Sequence, residues 1–384
     1  MKGFIRERGP RNFQLKIDVG RDAAGKRRTE YHPFYGSKRE AERKLVELIA
    51  AVDKRAHVSR STLTVGAHLI ERIEQWTRLG KLTPKSAERY RELADNQVIP
   101  FLGAISLQDL KASHIERWHA ALRTSGRKDG AGGLAPRSVQ HAHRLLGKAL
   151  KEAQRYDLIV RNPAVGETPP AVSREEVTIL SGDEARAVVT KLAGHPIYPK
   201  AMLALFAGLR RGEVLALRWG HVDFDAKLLR VSEALEETRE GLRFKAPKSH
   251  AGKREVTLPD IAVSALRDHW RKQSEQRLKL GAGRLTPDTL IFGELDGGPM
   301  SPRALSTQWT AVAAKLGVKA TFHALRHTHV SHLVSAGINV VKISHRVGHA
   351  DVGTTLNVYA HLFDAREDKS AEAINAAVAA LLET

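Results

Sequence analysis

The amino-acid sequence predicts a multidomain fold, in which a small N-terminal β-sheet with one helix precedes an all-α domain and then a mainly α (α+β) domain with a small antiparallel sheet. Three observations predict it. Apolar residues alternate near the N-terminus, they follow a helical period from Leu63 to about Ile159, and prolines at 163, 169 and 170 separate that segment from the rest. The chain has 384 residues, which is enough for two or three domains with separate cores.

Residues 1–57 are predicted to form a small module of two strands and a helix. The first strand is indicated by apolar residues that alternate with polar ones, namely Phe13, Leu15, Ile17 and Val19. A second strand returns over residues 27–34 after a turn. Ser37 and Glu40 have the spacing of a capping box, which predicts that a helix begins there.

This N-terminal module also carries a strong positive charge. Residues 1–60 contain 16 Lys and Arg but only 8 Asp and Glu. We expect the sheet to lie on the phosphates of a nucleic acid, with Arg27 and Arg28 among its contacts. A basic face that contacts only solvent is the alternative, because such charge runs are common.

Residues 61–161 are predicted to form a domain of four or five helices. One helical face is marked by four apolar residues, Val65, Leu69, Ile73 and Trp76. Helix starts are indicated by capping residues or an early proline at Thr83 and Pro84, at Ser113 and Glu116, and at Pro136. Pro100 and Gly103 are expected to end a helix.

The loop over residues 126–133 is rich in glycine. A phosphate-binding loop would need a preceding strand and a following Gly-Lys-Ser/Thr, and the sequence has neither, so we expect a flexible connection. The candidate phosphate contacts of this domain are basic side chains on its helices, namely Lys85, Arg89, Arg137, His141 and Arg144.

A linker is predicted over residues 162–180, because prolines interrupt helical structure there. Two bodies joined in this way are suited to hold a duplex from two sides. The last domain covers residues 181–384, and Ser181 with Glu184 is expected to cap its first helix.

Gly208 and Gly212 bracket two residues of opposite charge, Arg210 and Glu213. The glycines permit a sharp bend between two helices. We expect Arg210 at a buried corner of this bend, with its guanidinium held by Glu213.

Three strands are predicted after the bend, over residues 228–231, 243–248 and 254–258. The second and third are expected to form a hairpin with Gly252 in its turn, which places Lys248 at the start of a mobile loop. Two helices are predicted next, over residues 261–280 and 302–316.

His323 and Arg326 are three residues apart. A helix that opens at Thr321 or Phe322 would place both side chains on one face. An apolar opposite face is expected from Leu325, Val330, Leu333 and Val334. Gly337 is expected at the end of this helix.

A second short helix is predicted over residues 339–346. Gly348 and His349 then turn the chain back, and a third helix from about Gly353 carries Tyr359. The three helices would bring two histidines, an arginine and a phenol to one pocket.

The balance of charges favours a polyanionic partner. There are 62 Lys and Arg against 43 Asp and Glu, a net charge of +19, which favours nucleic acid. No apolar run approaches the roughly 18 residues that a membrane span needs, and no signal peptide is recognised. We therefore expect a cytoplasmic, nucleoid-associated protein without membrane contact. The absence of cysteine excludes disulfides and thiolate metal sites.

The histidines do not predict a metal centre. His323 and His327 have the spacing of a zinc-binding helix, but Ala324 occupies the position of the general-base glutamate. Apart from His323 and His349, the histidines of this region are expected to be helix-surface residues or contacts to the DNA backbone, namely His327, His329, His332 and His345.

The ordered set Arg210, Lys248, His323-x-x-Arg326, His349 and Tyr359 resembles the tyrosine recombinase (phage integrase) family of site-specific DNA recombinases. The matching stretches lie after Ser181 and read AGLRRGEVLALRW, PKSHAGKREVTLP, TFHALRHTHVSHL and VGHADVGTTLNVYAH. Three departures from common family residues, at Ala207, Ala324 and Val347, remove no catalytic group. Lys245 competes with Lys248 for the lysine position, and the preceding proline and the following Arg-x-Val favour Lys248.

The resemblance implies a reaction without metal or cofactor. Tyr359 would attack a DNA phosphorus and form a 3′-phosphotyrosine link. Arg210, supported by Glu213, and Arg326 would clamp the phosphate oxygens, and His349 would add a hydrogen bond. His323 would act as general acid/base, and Lys248 would protonate the departing 5′ oxygen.

The resemblance also implies a domain layout and partners. Residues 1–57 would be an arm-type DNA-binding module, residues 61–161 a core-binding (SAM-like) domain and residues 181–384 the catalytic domain. The partners would be double-stranded attachment sites, a homotetramer on DNA, and DNA-bending and directionality factors, with a phage or integrative element as the DNA that is integrated or excised. The C-terminal helix would pack either on its own domain or on a neighbouring subunit.

Two other classes of protein remain as alternatives. A non-catalytic regulator fits the helix-turn-helix pattern between Val340 and Tyr359, but it leaves Arg210, Lys248 and Tyr359 without a role. A type IB topoisomerase would share the chemistry, whereas the basic N-terminal module and the C-terminal helix favour recombination between specific sites.

Overall fold

The computed structural model describes residues 3–21, 27–53, 61–173, 177–247 and 252–364. The chain divides into two compact units between Ser173 and Arg174. Both units combine helices with small antiparallel sheets, as the sequence predicts. Within the described ranges, no helix is long and apolar enough to cross a membrane.

The first unit begins with a three-stranded antiparallel sheet. Its strands pair in chain order and are β1 (Gly3–Gly9), β2 (Asn12–Arg21) and β3 (Arg27–Tyr35). Helix α1 (Lys38–Asp53) follows, and Phe13 and Leu15 pack against its Ala41. The predicted capping box is confirmed, since the Ser37 amide donates to the Glu40 carboxylate at 2.7 Å.

Strand β1 was not predicted. Arg6, Glu7 and Arg8 interrupt any apolar alternation there, and the strand is mostly exposed. It is an edge strand that forms through main-chain pairing with β2, so its side chains carry little of the signal on which a sequence prediction depends.

The rest of the first unit is helical. The helices are α2 (Val65–Arg78), α3 (Pro84–Leu93), α4 (Ile99–Leu102), α5 (Ala112–Ser125) and α6 (Pro136–Arg155). Trp76, Trp118 and Leu145 are buried together in one core. This arrangement confirms the predicted helical segment.

Two helix boundaries differ from the prediction. Pro100 does not end a helix, because a π-helical turn at Ala94–Val98 leads into α4 and the proline lies in the first turn of α4, where no N–H is needed. Ser113 and Glu116 do not form a capping box. Helix α5 begins earlier, and the Lys111 amide donates to His114 Nδ1 at 3.2 Å instead.

The second unit contains eight helices in its described part. They are α7 (Gly182–Lys191), α8 (Tyr198–Phe206), α9 (Arg211–Leu215), α10 (Asp260–Lys279), α11 (Pro302–Lys315), α12 (Phe322–Ser335), α13 (Val340–Val347) and α14 (Val352–Asp364). Ser181 caps α7 with Glu184, as predicted. A 3₁₀ turn at Trp219–His221 precedes the strands.

The predicted hairpin of the second unit is wrong. Strands β4 (Val222–Asp223), β5 (Leu228–Val231) and β8 (Arg254–Thr257) form one sheet, whereas β6 (Ala234–Thr238) pairs with β7 (Gly241–Lys245) in another. Thus β7 and β8 do not pair with each other. Strand β6 escaped prediction because it carries Glu236 and Glu237, and Glu236 is buried in an ion pair with Lys245.

Helix α12 lies at the centre of the second unit and packs against α8, α11, α13 and α14. The prediction of an amphipathic helix with one polar edge is wrong. Ala324, Thr328 and Ser331 are buried together with Leu325 and Val330, so small side chains allow neighbouring helices to pack outside the predicted apolar face as well.

Candidate active site

Three arginines from other elements donate hydrogen bonds to the carbonyls at the C-terminal end of α13. The last carbonyls of a helix have no helical N–H donor and carry partial negative charge. Arg254 Nε donates to the Arg346 carbonyl at 2.7 Å, and Arg326 Nη2 donates to the next carbonyl, that of Val347, at 2.6 Å. Arg210 Nη2 donates to the third, that of Gly348, at 3.0 Å. Three guanidiniums from distant segments therefore meet at one helix end.

A buried carboxylate ties two of these guanidiniums together. The side chain of Glu213 is 7% exposed and accepts from Arg210 Nη1 at 2.8 Å and from Arg254 Nη2 at 2.9 Å. Burial raises the pKa of Glu213, but the hydrogen bond and charge of Arg254, followed by the charges of Arg210 and Arg326, lower it to about 2. Glu213 is therefore ionised at neutral pH.

The predicted bend between α8 and α9 is confirmed. Gly208 has φ +67°, a left-handed conformation that favours glycine. A Cβ at this position would lie 2.6 Å from a ring carbon of His329. The Gly208 carbonyl accepts from Arg326 Nη1 at 2.6 Å, so the bend also positions the buried Arg326.

Tyr359 on α14 is enclosed by the protein. It is 1% exposed, and its hydroxyl forms a 2.6 Å hydrogen bond with Nδ1 of His327. Burial raises the pKa of the phenol to about 12, while Arg326 and Arg210 act in the opposite direction. The phenol is therefore neutral in this conformation.

Two histidines on α12 are not the surface residues that were predicted. His327 is half-buried beside Tyr359, and His329 is 5% exposed. His329 Nδ1 donates to the Leu205 carbonyl at 3.0 Å, and its Nε2 accepts from Arg346 Nε at 3.1 Å. His332 and His345 are exposed, as predicted.

His323 and His349 lie in the electrostatic field of the same arginines. Desolvation, followed by Arg326, Arg210 and Arg211, lowers the pKa of His323, whose residue remains exposed. His349 Nδ1 shares a hydrogen bond with Thr355 Oγ1 at 2.8 Å. Burial and then Arg326, Arg210 and Arg254 lower the pKa of His349 to about 4, so it is neutral at pH 7.

Five of the six predicted catalytic side chains are thus brought together: Arg210, His323, Arg326, His349 and Tyr359. Lys248 lies outside the described residues, as do residues 365–384 of the predicted C-terminal helix. Its competitor Lys245 is on β7 and pairs with Glu236.

Sequence reasoning missed the roles of Arg254 and His327. A signal for Arg254 exists in hindsight, because a basic residue precedes the alternating apolar pattern of β8 directly after the lysine loop. For His327 the signal is its place next to Arg326, one helical turn after His323.

Basic side chains also meet on the helical part of the first unit. Desolvation, followed by Arg144, Arg89 and Arg137, lowers the pKa of His141, so these three arginines on α3 and α6 all lie near His141. All three are exposed. The other predicted contacts are less informative, because Lys85 pairs with Glu88 at 3.1 Å, and Arg27 and Arg28 lie on β3 with side chains outside the described part.

A phenol beside guanidiniums and neutral histidines is the set of side chains expected of an enzyme that acts on phosphate esters, because cations can stabilise a phosphate and a phenol can attack it. Residues 178–366 match the model of the phage integrase family, and residues 68–123 match that of the phage integrase N-terminal SAM-like domain. The chain belongs to the tyrosine recombinase (phage integrase) family, whose members cut and rejoin DNA at specific sites.

Similar proteins come from bacteria and from mobile elements. A tyrosine recombinase XerC-like protein of Caldanaerobacter subterraneus subsp. tengcongensis is 25% identical, with 96% of each chain covered. An integrase of Streptomyces ambofaciens is 28% identical, with 89% of this chain and 87% of the relative covered. The fold is similar to that of the Tn1549 transposon integrase in complex with a circular intermediate DNA, with a TM-score of 0.68 at 21% identity over 82% of this chain and 99% of that one.

Proposed function

We propose that this recombinase integrates or excises a mobile DNA element and that Tyr359 is its nucleophile. The observation that carries the proposal is the meeting of Arg210, Arg254 and Arg326 at the C-terminal turn of α13, beside the phenol of Tyr359. A phosphodiester is the ligand for which such a group of guanidiniums is suited, because planar N–H forks match its oxygens.

The reaction begins with attack of the Tyr359 oxygen on a DNA phosphorus. The bond to the 5′ oxygen breaks, and the strand remains attached through a 3′-phosphotyrosine. Arg210 and Arg326 neutralise the phosphate oxygens during this step, and His349 donates a hydrogen bond to them. Attack by a 5′-hydroxyl of another strand reverses the chemistry and releases the protein, so the energy of the bond is kept.

Proton transfers in this proposal use side chains alone. Lys248 protonates the leaving 5′ oxygen, and His323 acts as an acid/base group at the exposed side of the site. Neither a metal ion nor an organic cofactor is needed, since the arginines provide the charge that a metal would otherwise provide.

The enclosed state of the site implies a conformational step. Tyr359 is 1% exposed and Arg326 is 2% exposed, so a DNA phosphate reaches them only after the surrounding elements rearrange. The side chain of Arg210 is 39% exposed and is the arginine that first meets the phosphate. DNA binding and activation of the nucleophile are therefore coupled in this proposal.

The remaining parts of the proposal concern the architecture around DNA. Residues 1–57 bind arm-type sites, residues 61–161 bind the core site and residues 181–384 cut it. Arg89, Arg137 and Arg144 contact phosphates, which their exposure and proximity support. Four subunits assemble on DNA with bending and directionality factors in the cytoplasm, a prediction that rests on the family.

A covalent adduct tests the proposal. The protein is incubated with a nicked duplex that carries its attachment site, identified from short direct repeats in the DNA around the coding region, and adducts are separated on denaturing gels. We expect an adduct with the wild type and with Tyr198→Phe, a matched tyrosine outside the site, and none with Tyr359→Phe.

The other outcomes separate the competing classes of protein. A DNA-binding regulator would give no adduct with any variant. A topoisomerase would form the adduct and relax supercoiled DNA, but it would not exchange strands between two sites.

A further inference from the structure

We propose that His327 is a further catalytic residue, the group that takes the proton of Tyr359 when the phenol attacks DNA. The inference rests on the proposed role of Tyr359 as nucleophile. It adds a proton acceptor that neither the sequence pattern nor the family motif assigned.

The position of His327 meets the geometric requirement for a general base. Such a group must lie within hydrogen-bond reach of the proton that it removes. His327 Nδ1 lies 2.6 Å from the Tyr359 hydroxyl. Within the described part of the chain, His327 is the side chain that forms a hydrogen bond with the phenol.

His323 is less well placed for this step. Its ring stands perpendicular to that of His327 with 4.6 Å between the ring centres. His323 therefore neighbours the base, whereas His327 contacts the reacting oxygen. This division leaves His323 free for the acid/base role at the exposed side of the site.

The surroundings of His327 keep the free enzyme inactive. The groups that face it are His323 and Arg326 on α12, Tyr359 on α14 and His349 after α13. Burial, followed by the charges of His323 and Arg326, lowers the pKa of His327 to about 4, while the phenol has a pKa of about 12. The proton therefore remains on Tyr359 until a phosphate is present.

Proton transfer then accompanies bond formation. The phenol O–H bond breaks as the oxygen forms its bond to phosphorus, because the oxygen becomes far more acidic as it donates its electron pair. The proton moves to His327 Nδ1, and Nε2 keeps its own proton, so an imidazolium results. The P–O5′ bond breaks with its electron pair on oxygen, which takes a proton from Lys248. Rejoining returns the His327 proton to the phenol oxygen.

The test measures the rate of adduct formation in single turnovers for the wild type, His327→Gln and a control histidine variant, His195→Gln. His195 is exposed and lies outside the site. The substrate is a nicked duplex carrying the sequence that the protein selects from a random pool. We expect His327→Gln to slow cleavage by about 10²–10⁴-fold, the range of general-base catalysis, and His195→Gln to leave it unchanged.

Two chemical substitutions separate proton acceptance from a structural role. A 5′-bridging phosphorothiolate has a leaving group that needs no acid, so it should rescue loss of Lys248 but not loss of His327. A fluorinated tyrosine at position 359 has a more acidic phenol and should restore most of the rate of His327→Gln. In the otherwise wild-type protein the same fluorinated tyrosine should change the rate much less.

These measurements distinguish failure of this inference from failure of the proposed function. A wild type that forms no adduct, or a Tyr359→Phe variant that still forms one, contradicts both. A Tyr359-dependent adduct that His327→Gln forms at the rate of His195→Gln contradicts only the role of His327. A slow His327→Gln variant that the fluorinated tyrosine does not rescue also contradicts the role of His327. If this variant folds poorly, the rates with tyrosine and with fluorinated tyrosine at position 359 are compared in the otherwise wild-type protein, where a large change would contradict the role of His327.

Discussion

Replacement of Glu213 by Gln tests the buried charge network that holds the arginines. The change keeps the size of the side chain but removes the negative charge that Arg254 and Arg210 share. Arg254 is 6% exposed, so its guanidinium would stay buried without a counter-charge. Breaking such a pair typically costs about 3–5 kcal/mol of unfolding free energy.

The pKa of Glu213 gives a similar magnitude. It falls from an ordinary value of 4.5 to about 2, and each unit corresponds to about 1.4 kcal/mol. The carboxylate thus contributes on the order of 3 kcal/mol, in agreement with the first figure. For a unit of roughly 200 residues, a loss of about 3 kcal/mol corresponds to a fall in melting temperature of about 6–12 °C.

The assay is urea denaturation, with unfolding measured by hydrogen exchange in peptides from α9 and β8. These peptides report on the stability of the second unit. Glu255→Gln is the matched control, because Glu255 lies on β8 in an exposed pair with Arg230 and should cost less than about 1 kcal/mol. Equal stability of the two variants would refute the argument.

The stability difference between the wild type and Glu213→Gln should depend on pH. Because the pKa of Glu213 is lower in the folded protein, its contribution is complete above about pH 4.5 and disappears as pH falls towards 2. The stability difference between wild type and Glu213→Gln should shrink over this window. A difference that stays constant would show that packing, not charge, is responsible.

Three further changes test other features. Gly208→Ala should lower the free energy of unfolding by about 1–3 kcal/mol in urea denaturation, because residue 208 has a left-handed backbone and the new Cβ would collide with His329. The loss should be larger than for Gly194→Ala, whose Cβ would meet nothing within 4 Å. Arg144→Gln should weaken DNA binding equally for all sequences and reduce the slope of log affinity against log salt by about 1 in filter binding; an unchanged slope would exclude a phosphate contact. Ser181→Ala should lower the unfolding free energy by about 1 kcal/mol, since it removes the cap of α7, and an unchanged thermal transition would contradict this.

Local spacing explains what the sequence could predict. Arg210 and Glu213 are three residues apart, so the bend and their ion pair follow from a short segment. The caps at Ser37 and Ser181 are equally local, because a side chain and an amide three residues later suffice to define them.

Long-range pairing explains what the sequence could not predict. Arg254 lies 41 residues from Glu213 and 92 residues from Arg346, and no periodicity connects them. The bond between His327 and Tyr359 depends on how α14 docks against α12, which turns a residue expected at the surface into a neighbour of the phenol. The pairing of β6 with β7 could not be predicted for a similar reason, since Glu236 is buried although glutamate is typical of exposed positions.

The acceptors for the three arginines at the end of α13 are peptide oxygens, which every amino acid supplies. A point mutation can remove one of the arginines, but it leaves in place the backbone carbonyls that align the other two. Side chains along this turn can therefore diverge as long as the backbone keeps its path, which at Gly348 is a left-handed conformation (φ +67°) that favours glycine. An insertion or deletion of one residue at the turn would misalign all three guanidiniums at once.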